Sequence, residues 1–455
     1  MRKIVLLIIL VCSISVAEEL TLEESVSYAM SHNQKIIAVR EKLKAAEGSL
    51  TSTSALLYPQ LSATGIYTKN SALSRYVYGA PLQLPVFSAA GVPTGDYAAI
   101  AYPSVTADRL GDMYVAKLSL AWPIFTWGKI QGAVEIAEAN KNIAEKDLIK
   151  TIQDVTYEIK SGFYSLLMSG EMVKVLDETR KSLQAHVEVV QKRYEAGLAS
   201  KFELLRAKVQ LANIEPQLNR AKNMNELSLM GFNNSLSAET NEKYTAKGEF
   251  KYEQETFEME ACLKSALADR VELKQMEERV KMARAALNIA TAGFRPSVTL
   301  TANYSANMGA QLPPNDTVWY TGWDAGGVIS IPLFDGFATS GKYQEAEGNL
   351  NQATIGMTQL LDGIKIEVKG AFLTLEATEK TIIAQAENIN MAKESLNMVK
   401  ERYAQGLSTN LDVLDTEVSY LQTEISYYQS LYDQILAKEK LKKAIGKIGG
   451  ENVKK

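Results

Sequence analysis

The side chains in this sequence best placed to do chemistry are two carboxylates. Asp412 and Asp415, in Leu411-Asp412-Val413-Leu414-Asp415, stand three residues apart, which puts both on one face of a helix. Carboxylates crowded at a constriction favour cation binding, and their mutual repulsion raises their pKa values. The plainer use of such a pair is a solvated helix start, where aspartate suits the positive end of the helix dipole. Gly197-Leu198 and Gly406-Leu407 offer shape rather than reactivity, each following Arg-Tyr at a helix end. Glycine suits the left-handed cap of a helical hairpin. The leucine beyond it is either an apolar knob for a partner or a contact within its own hairpin.

Little else is reactive. With only 2 Cys and 2 His an all-Cys/His zinc site is close to impossible, and a disulfide framework is excluded. His32 and His186 lie far apart on helices and read as packing or surface residues, and Cys262 reads as a small buried hydrophobe. The sequence has no nucleophile–base pair, phosphate loop or metal-ligand cluster, so neither an enzyme nor a cofactor is expected. Lys+Arg number 49 against 53 Asp+Glu, net charge −4, with no dominant basic stretch, which argues against nucleic acid as a partner.

The elements that position these residues come in two copies. RYEAGLASKFELLRAKV at 193–209 returns as RYAQGLSTNLDVLDTEV at 402–418, an offset of 209. The same offset carries Pro123-Ile124-Phe125 onto Pro332-Leu333-Phe334 and Gly132 onto Gly341. It also carries Ala137-Glu138-Ala139-Asn140 onto Ala346-Glu347-Gly348-Asn349. Upstream the offset becomes 237, aligning Tyr58-Pro59-Gln60-Leu61 with Arg295-Pro296-Ser297-Val298. The first copy therefore holds 28 extra residues, within 70–112, whose Tyr, Pro, Gly and Ala suit a surface loop. The copies span 18–230 and 256–446, with a polar linker at 231–255 and a tail at 447–455.

Periodicity assigns the elements within each copy. From Gly132 to Tyr194 there is no proline, and Val155, Ile159, Phe163, Leu166, Val173, Leu176, Leu183, Val187, Val190 and Tyr194 form a sustained apolar stripe. Ile364, Val368, Phe372, Leu375, Ile382, Ile389, Leu396, Val399 and Tyr403 repeat it. The spacing predicts helices over 20–56, 129–196 and 201–230, then 257–294, 338–404 and 409–445. A helix over 129–196 would be roughly 100 Å long at ~1.5 Å per residue, a length of coiled coils or helical barrels. Pro216 predicts a kink or break near 212–216. Its counterpart Ile425 leaves the second copy straighter.

Period-two alternation marks four strands, at 60–69, 113–122, 297–306 and 322–331. Each has about the 9–11 residues of a tilted membrane-spanning strand. Lys117 and Asp324 fall mid-strand on the expected lumen face, where charge is tolerated. Prolines 59, 123, 296 and 332 are expected where helix and strand exchange. The first 17 residues read as an export signal, with Arg2 and Lys3, an apolar run over 4–14 containing Cys12, and Ser15-Val16-Ala17 before the cleavage point. Val11 stands where a lipoprotein signal wants a small residue. No later segment is apolar enough for a membrane helix, so membrane entry would fall to the strands. Four strands cannot close a barrel, and the smallest closed barrels have about 8. Membrane insertion would thus force oligomerisation, as a dimer, trimer or tetramer.

The duplicated helix-strand-strand-helix unit, the Pro-x-Phe after the second strand of each copy and the RYxxGL tips together resemble the TolC-like outer-membrane efflux, or channel-tunnel, family. The resemblance covers nearly the whole chain after the export signal. It implies a mixed α and β fold: a homotrimer with a twelve-stranded transmembrane β-barrel, four strands per chain, on a long α-helical barrel. It also implies an outer-membrane exit duct extending into the periplasm, in a tripartite efflux or type I secretion system. The partners it implies are a periplasmic adaptor protein docked at the tips Gly197, Leu198, Gly406 and Leu407, an inner-membrane pump of RND, ABC or MFS type, and outer-membrane lipid. It makes Asp412 and Asp415 an acidic ring at the periplasmic aperture, and Tyr403 and Glu203 gate contacts. Ser408 departs from the family pattern, standing where a well-known member has an arginine that helps lock the aperture. The competing reading is a periplasmic coiled-coil adaptor or tether without a pore, for which one hairpin between β-rich halves is expected rather than this duplication. A passive porin would need many more strands.

Overall fold

The computed structural model describes residues 18–69, 75–77, 82–88, 93–100, 106–108, 112–238, 244–308 and 319–448. The expected export signal and residues 449–455 of the expected tail lie outside them. In chain order the elements are β1 (Glu18–Leu20), α1 (Leu22–His32), α2 (Gln34–Ser54), β2 (Gln60–Lys69), β3 (Arg75–Val77), β4 (Leu82–Phe87), β5 (Pro93–Ile100), β6 (Thr106–Asp108), β7 (Asp112–Phe125), α3 (Lys129–Glu195) and α4 (Lys201–Leu236). The second half adds β8 (Tyr244–Ala246), α5 (Met259–Asp269), α6 (Val271–Ala292), β9 (Ser297–Met308), β10 (Tyr320–Ser330), α7 (Ala338–Ala404) and α8 (Asn410–Ala444). Both long helices, α3 and α7, have 67 residues and start 209 apart.

Several expectations need correction. The helix expected over 20–56 is broken at Asn33, and that over 257–294 at Arg270, positions related by the 237 offset. Each break is held by a side chain reaching the last turn of a distant helix. Asn33 Nδ2 donates to the Ser235 carbonyl at 2.8 Å, and Arg270 Nη1 to the Ala444 carbonyl at 3.1 Å. Those carbonyls are among the four a helix C-terminus leaves unpaired. Pro216 does not break its helix. It sits inside α4, where burial of Ile214 and Leu218 on either side offsets the hydrogen bond it cannot donate. α4 runs on into the expected linker to Leu236, and later in that linker β8 pairs parallel with β1. The loop expected over 70–112 contains two antiparallel pairs, β3 with β6 and β4 with β5. Pro123 stands inside β7, at an irregularity of register between Pro123 and Phe125, rather than at its end.

One compact unit comprises residues up to Gly48, Glu138–Met282 and Leu350 onwards. It is helical, and its core is built twice from equivalent residues. Ala29, Ile36, Val155, Ile159, Leu166 and Phe232 are buried in one cluster, and Ala266, Leu273, Ile364, Val368, Leu375 and Leu441 in the other. Each residue of the second set lies 237 or 209 positions after its partner in the first. Two further clusters join the copies: Leu176, Leu183 and Leu218 with Leu414 and Leu421, and Val190, Leu204 and Ala207 with Tyr403 and Val413.

Two residues past the end of helix α8 stands Gly446, whose φ is +77° and whose added Cβ would lie 3.1 Å from the Asp269 carbonyl carbon. Gly446→Ala combines a left-handed backbone with a backbone clash. It is expected to cost about 1–3 kcal/mol, read as a lower midpoint of thermal unfolding followed by circular dichroism in detergent.

The other unit, Ser49–Ala137 and Ala283–Asn349, is built around a four-stranded sheet of order β10-β9-β7-β2, every pair antiparallel. The ladder aligns Ser62 with Ser119, Asn303 and Asp324, and Thr64 with Lys117, Ser305 and Gly322. One residue along, Leu61 aligns with Leu120, Ala302 and Ala325, and Ala63 with Leu118, Tyr304 and Trp323. One face is thus mostly polar and the other apolar.

Candidate functional site

The sheet is the first functional feature. Its apolar face is bare: Leu61, Tyr67, Leu118, Tyr304, Trp323 and Ile329 are all exposed, Trp323 by 79%. Lys117 and Asp324 share the opposite face. Asp324 accepts a hydrogen bond from Asn303 Nδ2 at 2.8 Å across the ladder, and Lys117 lies between Thr64 and Ser305. Among the described residues β2 and β10 pair only inward, leaving two open edges. At and just beyond the strand ends, exposed aromatics cluster: Phe125 packs edge-on against Trp127, and Phe334 against Phe337, while the Arg295 guanidinium lies 4.7 Å from the Trp127 ring. Such a belt suits the boundary between lipid and water.

The hairpin tips are the second. α3 and α7 end in the same geometry. Gly197 (φ +75°) and Gly406 (φ +78°) adopt the left-handed conformation, with Gly197 N–H donating to the Tyr194 carbonyl and Leu198 N–H to that of Arg193. Gly406 and Leu407 make the equivalent bonds to Tyr403 and Arg402. This is the Schellman arrangement, which satisfies two otherwise orphaned carbonyls. Leu198 and Leu407 project from it, 71% and 65% exposed. The following helices start with capping boxes: Ser200 with Glu203, and Thr409 with Asp412.

Those boxes redefine two predicted site residues. Glu203 Oε2 accepts from Ser200 N–H at 2.7 Å, and among the described residues its carboxylate has no hydrogen bond to Tyr403. Asp412 Oδ2 accepts from Thr409 N–H at 2.8 Å, which with the Thr409 hydroxyl holds its pKa below the usual aspartate value. Asp415 is exposed one turn on. Tyr403 is 5% exposed, whereas its counterpart Tyr194 is 39% exposed. Tyr403 packs in the cluster with Val190, Leu204 and Val413, and Arg193 covers it: the guanidinium lies 4.8 Å from the Tyr403 ring, and Nη1 donates to the Tyr403 carbonyl at 2.7 Å. Burial pushes the Tyr403 hydroxyl pKa up. Of the two histidines read as packing or surface residues, His186 packs: it is buried beside Tyr403 and bonded to Asn410. Its place on the apolar stripe of α3, one residue before Val187, was the available signal.

A sheet with one bare apolar face and two open edges, in a chain whose paired 67-residue helices end in matched hairpin tips, fits a protein that meets lipid through its strands. The family model described as outer membrane efflux protein matches residues 26–226 and 262–447. The chain belongs to that family, and its place is the outer membrane. It is similar to two curated proteins at 23% identity: the fusaric acid resistance protein FusA of Burkholderia cepacia over 226 residues, and protein CyaE of Bordetella pertussis over 260. The alignments take in 48% and 55% of this chain, and it spans about half the length of these relatives, 42% and 54% respectively. Solved structures share the fold along nearly all of the chain. The CmeC outer membrane channel of Campylobacter jejuni aligns with TM-score 0.78 at 18% identity, covering 95% of this chain and 88% of that one. VceC of Vibrio cholerae aligns with TM-score 0.75 at 20% identity, covering 93% and 96%.

Proposed function

We propose that the chain is one protomer of a homotrimeric exit duct that passes substrates from an inner-membrane pump, through the periplasm, to the exterior. The carrying observation is the sheet. Among the described residues its apolar face is exposed, and an open strand edge in lipid leaves each backbone group unsatisfied at a cost of several kcal/mol. Three such sheets, joined edge to edge, make a barrel of twelve strands with the Lys117 and Asp324 face lining the lumen. The adaptor-or-tether reading has no use for this sheet. In detergent the purified protein is expected to have the mass of three chains and to partition with outer membranes. A stable monomer in buffer without detergent would overturn the proposal.

In this reading an adaptor docks on Leu198 and Leu407, the pump is of RND, ABC or MFS type, and Asp412 and Asp415 form the acidic ring of the aperture. The relative named for fusaric acid resistance supports efflux of a toxic compound as the duct's task. Because Asp412 also closes a helix cap, asparagine separates its charge from its hydrogen bond better than alanine. Asp412→Asn with Asp415→Asn is expected to raise the multivalent-cation concentration needed for half-block by about tenfold, equivalent to ~1.4 kcal/mol. Single-channel recording in planar bilayers measures this, and unchanged block would remove these residues from the aperture.

A further inference from the structure

Of the two histidines only His186 is buried, and the duct reading gives it no task. It lies on α3, in the first copy, yet its ring touches both arms of the second copy's tip hairpin. On α7 the Tyr403 ring lies 5.2 Å away, centroid to centroid. On α8 Asn410 Oδ1 lies 2.6 Å from His186 Nε2. Asn410 is itself 2% exposed, and its Nδ2 donates to the Glu203 carbonyl on α4 at 3.1 Å. That bond fixes the amide's orientation. An amide oxygen only accepts, so His186 Nε2 must carry the hydrogen. One imidazole thus closes a bridge between the two hairpins, next to the turn that carries Leu407.

We propose that the His186–Asn410 contact is a latch, released by acid, that holds the second tip hairpin against the first. The idea rests on the duct reading for its purpose, though not for its geometry. The charged groups that act on the ring are Lys400 from α7 and Glu417 from α8, while Arg193 from α3 and Glu203 from α4 act on the neighbouring Tyr403 of α7. Glu417, the anion best placed to welcome an imidazolium, is committed to Lys400 Nζ at 2.8 Å. Burial lowers the His186 pKa more than the Asn410 bond and Glu417 raise it. The folded state therefore prefers the neutral ring. Its contribution to holding the hairpins is complete above the ordinary histidine pKa of about 6.5 and is lost as pH falls through that value towards the lower folded one. Protonation leaves the Nε2 hydrogen bond intact. Release comes instead from burying a cation beside Lys400.

Hydrogen–deuterium exchange of segment 401–418 in the intact, detergent-solubilised protein tests the latch at about pH 7.5 and about pH 5.5, with rates corrected for their intrinsic pH dependence. Wild-type exchange is expected to be several-fold faster at the lower pH. His186→Gln retains an amide donor but cannot titrate, so its corrected rates are expected to be equal at both. Asn410→Ala is expected to exchange fast already at the higher pH. A wild type without the acceleration, or a His186→Gln variant that keeps it, overturns the proposal. NMR titration of the isotope-labelled histidine rings needs no variant, and a His186 that titrates at or above the ordinary value overturns the proposal equally. Conductance in planar bilayers separates the two readings. Exchange behaving as expected with no conductance at any pH condemns the duct alone, whereas conductance with an unaltered pH response in His186→Gln condemns the latch as a gate.

Discussion

Leu198→Asp combined with Leu407→Asp is expected to abolish export while leaving the trimer intact. Both leucines are mostly exposed, and each follows a left-handed glycine whose hydrogen bonds are made by backbone alone. Nothing in the chain's core depends on their side chains, so folding and assembly should not register the change. A partner that covers them would. Burying a leucine contributes about 1.5–3 kcal/mol, so losing two per protomer corresponds to at least ~100-fold weaker adaptor binding. A carboxylate in an apolar contact adds a desolvation penalty. The measurements are adaptor affinity by surface plasmon resonance and the ability of the variant to restore resistance to a deletion strain. Full restoration with wild-type affinity would show that the leucines only pack on their own hairpins.

The second large effect is expected at Arg270. Its guanidinium is nearly buried and forks between Glu272 at 3.1 Å, Glu367 at 2.8 Å and the Ala444 carbonyl at the end of α8. Arg270→Ala leaves that carbonyl unpaired and frees two carboxylates beside it. Removing one partner of a buried ion pair costs about 3–5 kcal/mol, and because Glu367 is half exposed the loss here should fall at or below the lower end of that range. Arg270→Lys should recover only part of it, since an ammonium cannot reproduce the planar fork. Asn33→Ala, at the equivalent break, loses two neutral hydrogen bonds, one donated to the Ser235 carbonyl and one accepted from Lys35 N–H, and is expected to cost about 1 kcal/mol for each. Thermal unfolding of the three variants in detergent ranks them. An Arg270→Ala midpoint no lower than that of Asn33→Ala would refute the assignment.

The contrast between these two breaks shows where sequence reasoning stops. Neither Asn33 nor Arg270 disturbs the apolar period of its own segment, and their partners are 202 and 174 residues away. Local pattern carries no trace of an interaction at that separation. The same limit applies to Tyr194 and Tyr403, which sit in the same Arg-Tyr-x-x-Gly-Leu setting with opposite burial. It applies to His186 too, whose bridge to Asn410 spans 224 residues. Pro216 is the converse case: a local rule predicted a kink or break, and α4 runs unbroken through it with Ile214 and Leu218 buried on either side.

By itself the sequence determined the duplication, the span of the 67-residue helices, the period of the four main strands and the left-handed tips. Each of these is set by interactions between residues close in the chain: a helical stripe, a two-residue alternation, or a glycine where a side chain would be strained. Tertiary structure alone decided which of two identical motifs is buried and which carbonyl each helix break serves. Those choices depend on how the two copies pack against each other, and equal sequences in unequal surroundings need not share a role.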